Sequence, residues 1–483
     1  MNIKEAKKQI RNTIEVYMSK DEYDNPLIEK TAQRPIIIMG APGLGKTAIM
    51  AQLAEEMNIS LVAYSMTHHT RQSVLGLPVI MDKEYGKVSE YTMSEIIAEL
   101  YETDKRNSMK GGILFLDEIN CVSETLMPTM LQFLQHKKLG QHTIPENWII
   151  VAAGNPGEYN KSARDFDVVT WDRLKRIDIE PDYNAFKQYF VKKGGHGSIT
   201  TYLDIKKDNF YRYETTVDGN RFITARSWDN LSDAIYAYET KSIEVDLELI
   251  SQYLQYEEIA NDFFNYYCLY RKYEADYEID SILDGTYSKA IIKRACDAPF
   301  DERYSLIGLL LNSLTRKIKL CNEDEDYIRH LLENLKEVKA GTDINEVIRR
   351  QIEKRERMKR MGLLTNKMNK EYERVISFMS KHLNDPFALI KEEYDISKTV
   401  LKDSTDKIES YIVNCFSFVT DAFGKNEELT IFVTELTVNY YSAYYISRHN
   451  IEVYSEYAKM LSLEERNIEL AKEAELMNTE FEF

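Results

Sequence analysis

The sequence has 483 residues and no run approaching about eighteen uninterrupted apolar residues, so no membrane insertion is expected. Cysteine is scarce. Cys121, Cys268, Cys296, Cys321 and Cys415 are odd in number and far apart, which excludes both a disulfide framework and a CxxC metal site and fits a reducing compartment. The first residues, MNIKEAKKQI, lack the apolar core of a secretory leader, so the expected location is cytoplasmic. Positive charge is in deficit, with 62 basic against 79 acidic residues and a net charge of -17. Such a field repels phosphate backbones, and nucleic acid is not an expected partner. The deficit is uneven: residues 1–240 carry 29 basic and 33 acidic groups, leaving 33 and 46 for the rest. The first half therefore stands at -4 and the second at -13, which points the second half toward protein or solvent.

Chain breakers are also missing from the second half. Eight of ten prolines lie at or before Pro181, and fourteen of nineteen glycines at or before Gly219. Beyond that, apolar residues recur in steps of three and four, as from Leu247 through Ile250, Leu254, Phe263, Tyr267 and Tyr270 to Tyr277. The expected organisation is an α/β domain over 1–181, a small helical domain over 182–240 and a mainly helical region over 241–483. No internal repeat or low-complexity tract is visible. Within the first part, five apolar runs read as strands: Ile36–Gly40, Ile59–Met66, Ile113–Asp117, Trp148–Gly154 and Leu174–Ile179. The first four alternate with loops or helical segments, the pattern of a parallel sheet covered on both faces. The fifth carries more charge and is expected nearer an edge.

Directly after the first run come Gly40, Ala41, Pro42, Gly43, Leu44, Gly45, Lys46 and Thr47, a full GxxxxGK[ST] pattern, with Ala48 opening an amphipathic segment. Glycines let the backbone wrap phosphates, and successive N–H groups form an anion nest at a helix start. Lys46 adds charge for the outer phosphates, and the Thr47 hydroxyl suits a Mg²⁺ ion. These nine residues are the candidate binding set for ATP. The third run delivers Asp117 and Glu118 to its C-terminal end, where doubly wound sheets bind ligands. Asp117 would join Thr47 in holding Mg²⁺, and Glu118 would take a proton from the attacking water. Asn155 ends the fourth run, where its amide could reach both the γ-phosphate and that water. As an Asn-Pro pair it could also be a plain turn residue, but its position on a neighbouring strand edge favours the functional reading.

With these motifs in place the chain resembles an AAA+ ATPase, and within that superfamily the MoxR type of the helix-2-insert clade. GAPGLGKT resembles the Walker A motif, ILFLDE the Walker B motif and Ala152–Glu158 the sensor 1 segment. Trp171-Asp172-Arg173-Leu174 resembles the segment carrying an arginine finger. Ile223–Trp228 resembles sensor 2, with Ala225 where proline is usual. Ser73 to about Tyr91 resembles the helix-2 insert, and Lys137 to Pro145 the hairpin preceding sensor 1. The resemblance covers roughly the first half of the chain, to about residue 235. It implies an AAA+ P-loop parallel sheet sandwiched by helices, then a small helical lid. It also implies that Arg173 completes a neighbouring subunit's site and that Arg226, on the lid, touches the γ-phosphate. Arg164 and Arg176 compete for the finger role, and Arg226 could act in its own subunit or its neighbour's.

Other signals are weaker. His68-His69 has no carboxylate or cysteine partner at ligand spacing and reads as a surface pair. Asp395-Ile-Ser-Lys-Thr399 has the look of a von Willebrand factor A metal motif, but no buried strand precedes it, and a solvated helix start is expected. Arg349–Arg360 reads as a solvated helix face. The tyrosine-rich helices after residue 250 are expected to form a core or an interface.

The resemblance implies a homo-oligomeric ring, hexameric by expectation, in which ATP hydrolysis remodels a protein client. It also implies a separate polypeptide with a von Willebrand factor A domain as partner. Two alternatives stay open: a nucleic-acid motor or restriction-type NTPase of the same clade, and a nucleotide-gated scaffold with negligible turnover.

Overall fold

The computed structural model describes residues 1–84, 86–106, 111–160, 162–216, 219–360 and 364–461. Eleven strands are present among them: β1 (Ile36–Gly40), β2 (Ser60–Ser65), β3 (Pro78–Lys83), β4 (Gly86–Tyr91), β5 (Gly112–Asp117), β6 (Lys138–Leu139), β7 (His142–Thr143), β8 (Trp148–Gly154), β9 (Lys175–Ile179), β10 (Arg212–Thr216) and β11 (Gly219–Ile223). Five of them form one parallel sheet in the order β2-β5-β8-β1-β9. The five expected runs are these five strands. As expected, β9 lies at an edge. β2 occupies the other edge, which its hydrophobic run did not announce, and its side chains are accordingly only partly buried.

Alternation of side chains builds two cores from one set of strands. Ile36, Ile38, Ile113, Phe115, Ile149 and Val151 pack on one face with Ile10 and Ile14 of the helix Ile3–Met18 and Ile49 and Leu53 of the helix Lys46–Met57. Ile37, Met39, Leu114, Leu116, Ile150 and Ala152 pack on the other with Ile97 and Leu100 of the helix Glu95–Arg106 and Phe133 and Leu134 of the helix Met127–His136. A strand covered on both faces must be apolar at every position, which is why β1, β5 and β8 read as continuous runs. Each of the large apolar side chains among them contributes about 1.5–3 kcal/mol relative to exposure.

The span resembling an insert forms the short helix Arg71–Leu75 and the antiparallel hairpin β3–β4; Tyr85 within it lies outside the described residues. Residues 137–145 form the two-residue pairs of β6 and β7.

The chain divides into two compact units. The first holds Met1–Ala185, Thr224–Arg226 and Glu353–Asn366, and the second holds Phe186–Ile223, Ser227–Ile352 and Lys367–Phe483. The second is mainly helical, and its core gathers residues of the helices Phe300–Lys339, Phe387–Phe423 and Glu427–Val438. The periodic run from Leu247 forms two helices, Leu247–Tyr253 and Glu257–Asp276, and Ile250, Leu254, Phe263, Tyr267, Tyr270 and Tyr277 are buried. Two of the buried tyrosines use their hydroxyls: Tyr202 donates to Asp262 and Tyr277 to Glu302, each at 2.8 Å. Asp395–Thr399 lies inside the helix Phe387–Phe423, not at its start. The helix begins eight residues upstream of Asp395, after Pro386, whose ring suits a helix entry but not a helix interior. Among the described residues no helix is long and apolar enough to cross a membrane.

Candidate functional site

The loop after β1 carries the candidate phosphate-binding residues. Gly43 has φ +78° and Gly45 φ +85°, a region closed to most side chains. At Gly43 space demands glycine as well: an added Cβ would lie 2.7 Å from Thr224 Oγ1 and 2.8 Å from Thr224 Cβ. The helix Lys46–Met57 starts from Gly45 with no side-chain cap, and its first bond runs from Ile49 N–H to Gly45 O. The N–H groups of Lys46, Thr47 and Ala48 are thus left unused by the helix, at its positive end.

Lys46 is 8% exposed and donates to Gly40 O at 2.8 Å, Ala41 O at 2.9 Å and Asn155 Oδ1 at 2.7 Å. Burial pushes its ammonium down to about 8. Asp117 and Glu118 oppose that fall, and Arg226 adds to it. Arg226 is therefore electrostatically coupled to Lys46, although its exposed side chain makes no hydrogen bond or ion pair among the described residues.

The Thr47 hydroxyl donates to Asp117 Oδ2 at 2.7 Å. The other oxygen, Oδ1, accepts from Glu118 N–H at 3.0 Å. Glu118 sits at φ +55°, left-handed backbone that costs a non-glycine residue about 1–3 kcal/mol. The conformation is held by Cys121 N–H donating to Glu118 O at 2.9 Å, and it turns the glutamate off the strand axis. Ser65, at the end of β2, donates to Glu118 Oε2 at 3.3 Å. Sequence reasoning missed Ser65 because nothing in a strand-end serine marks it. The register does: Ser65 pairs with Asp117 across β2 and β5.

Among the described residues no cluster of three or more histidine, cysteine or acidic side chains is arranged to hold a metal. The set present, the Thr47 hydroxyl and the Asp117 carboxylate, matches the few protein ligands Mg²⁺ takes when phosphates and waters supply the rest. The residues fit both a nucleotide polyphosphate and that ion.

Other candidates lie apart. Arg173 ends the helix Val168–Asp172, is exposed, and donates to Gln135 Oε1 at 2.7 Å. Arg164 pairs with Glu124 at 2.6 Å. Arg176 pairs with Asp178 at 2.8 Å and stacks over Trp171 at 4.5 Å. His69 bonds Ser73 at 3.2 Å and His68 is exposed, as expected of a surface pair.

A parallel sheet whose first strand opens into this loop, with a carboxylate pair and an amide on adjacent strand ends, has the architecture of a P-loop nucleotide-binding domain. Residues 35–174 match the family model described as the AAA domain of the dynein-related subfamily. The curated protein midasin of Giardia intestinalis is 26% identical over 107 residues, 22% of this chain. The chain spans only 2% of that relative's length. A solved structure described as a candidate ATPase of Cytophaga hutchinsonii aligns over 54% of this chain and 81% of its own. Its identity is 12% and its TM-score 0.25.

Proposed function

We propose that this chain hydrolyses ATP and uses the cycle to remodel a protein client as a MoxR-type ring, hexameric and cytoplasmic, together with a separate von Willebrand factor A-type partner. The observation that carries the hydrolytic part is the convergence of Lys46, Thr47, Asp117, Glu118 and Asn155 at neighbouring strand ends. Lys46 and the free N–H groups of Lys46–Ala48 bind and orient the phosphates. Thr47 and Asp117 would hold Mg²⁺, which would neutralise phosphate charge. Glu118 accepts the proton of a water whose oxygen bonds to the γ-phosphorus as the bond to the bridging oxygen breaks. Asn155 orients that water, and Ser65 steadies the Glu118 carboxylate. ADP and phosphate leave.

What supports the ring reading is Arg173, whose guanidinium is exposed and bonded to a neutral glutamine, a side chain suited to serve a neighbouring copy. The excess acidity of the second half favours a protein client over nucleic acid. The test is Glu118→Gln. Nucleotide affinity should stay at the parental level while turnover falls by at least about a hundredfold, since base catalysis contributes that order. Near-parental turnover in the purified variant would remove Glu118 from this role.

A further inference from the structure

We propose that Asn120 is a positioning residue for Asn155: it ties the end of β8 to the turn carrying Glu118 and so fixes catalytic geometry without touching nucleotide. The kinetic part of this proposal rests on the ATP-hydrolysis reading above.

Asn120 is 1% exposed, in the single turn Ile119–Cys121 that follows Glu118. A primary amide that deep is costly unless its donors are used. Its Nδ2 donates to the backbone carbonyl of Asn155 at 2.8 Å. Its backbone carbonyl accepts from Arg164 N–H at 2.9 Å, so the one residue anchors two segments that follow β8. The space for its amide comes from a glycine. A Cβ on Gly154 would lie 2.6 Å from Asn120 Oδ1 and 2.9 Å from its Cγ. Gly154 is therefore side-chain-free at the strand end where the Asn120 amide lies.

The contact continues inward. Asn155, held by its carbonyl, presents Oδ1 to Lys46 at 2.7 Å. Asn120 is two residues from Glu118, and its amide reaches the residue whose side chain meets Lys46. A single side chain thus sets the separation between the group that takes the proton and the amide that orients water. An aliphatic residue could fill the volume but could not donate to a carbonyl, so the position requires a donor and not mere bulk.

Three variants test this. Asn120→Asp keeps the shape and loses the donor. Asn120→Ala removes the amide. Gly154→Ala leaves Asn120 intact but pushes on its amide, and it carries the test if either Asn120 variant fails to fold. Each should bind ATP within about twofold of the parent, because the Gly40–Thr47 loop is untouched, while kcat falls about tenfold, the scale of one lost buried hydrogen bond. Asn120→Ala added to Asn155→Ala should cost nothing further, because a positioning residue has nothing left to position. A residue with a purely structural role would give additive losses. Parental kcat in Asn120→Asp, or additivity in the double variant, overturns the proposal.

Hydrogen exchange over residues 153–160 without nucleotide supplies a readout independent of turnover. It should quicken in Asn120→Ala, and parental exchange there overturns the proposal too. A parent that hydrolyses no ATP would refute the function proposed above, and the exchange measurement would still decide the role of Asn120.

Discussion

The ammonium of Lys46 donates to Asn155 Oδ1 at 2.7 Å across 109 residues of sequence. Its two other bonds go to backbone carbonyls, so all three of its hydrogens meet oxygens without formal charge. A polyphosphate supplies the negative charge those partners lack. The same bond joins the loop after β1 to the end of β8.

That bond carries a pH signature. Burial pushes the Lys46 ammonium down to about 8 from 10.5. Below about pH 8 the lysine is charged and nucleotide affinity is full. Above it, binding must first take up a proton, and affinity should fall by up to about tenfold per pH unit. Calorimetry above pH 8 in two buffers of different ionisation enthalpy should read that uptake, and a Kd unchanged between about pH 7 and about pH 9 would refute it. Folding stability follows the same linkage. Between about 8 and 10.5 the unfolded chain binds more protons, so the cost of burying this charge is present at low pH and relieved as pH rises.

Gly43→Ala should weaken ATP binding by at least about tenfold, because left-handed backbone alone costs a residue with a Cβ about 1–2 kcal/mol. The added carbon would also meet Thr224 at 2.7 Å. Either the loop or the Thr224 segment must move. An alanine variant with parental affinity would show that this loop conformation is not the binding one.

Arg173→Ala should fold normally, since the side chain loses only an exposed bond to Gln135, worth at most about 1 kcal/mol. It should bind ATP as the parent does and hydrolyse it about a thousandfold more slowly or worse. Mixing it with Lys46→Ala, which keeps the finger and loses the pocket, should restore part of the activity at junctions that pair a working pocket with a working Arg173. Asp167 and Asp172 are the acidic neighbours that could tie Arg173 down within its own subunit. Asp167 instead caps its helix through Thr170, and Asp172 lies 3.9 Å from Arg34. A fully active Arg173→Ala protein would shift the finger role to Arg176 or Arg164.

The sequence by itself determined what is local. Five apolar runs became five strands because a strand buried on both faces can be nothing but apolar, and the phosphate loop was legible because glycine, lysine and threonine act there within eight consecutive residues. The acidic pair was legible for the same reason, since it ends its own strand. Which strands are neighbours was not legible, because hydrogen bonds between parallel strands are made by backbone that every residue shares. Only the order β2-β5-β8-β1-β9 sets Met39 beside Gly154, which brings Asn155 to Lys46. The same order sets Ser65 beside Asp117 and within reach of Glu118. Asn120 was invisible for a further reason. Its role depends on one donor, one carbonyl and the missing side chain of Gly154, three groups that meet only after the sheet has formed.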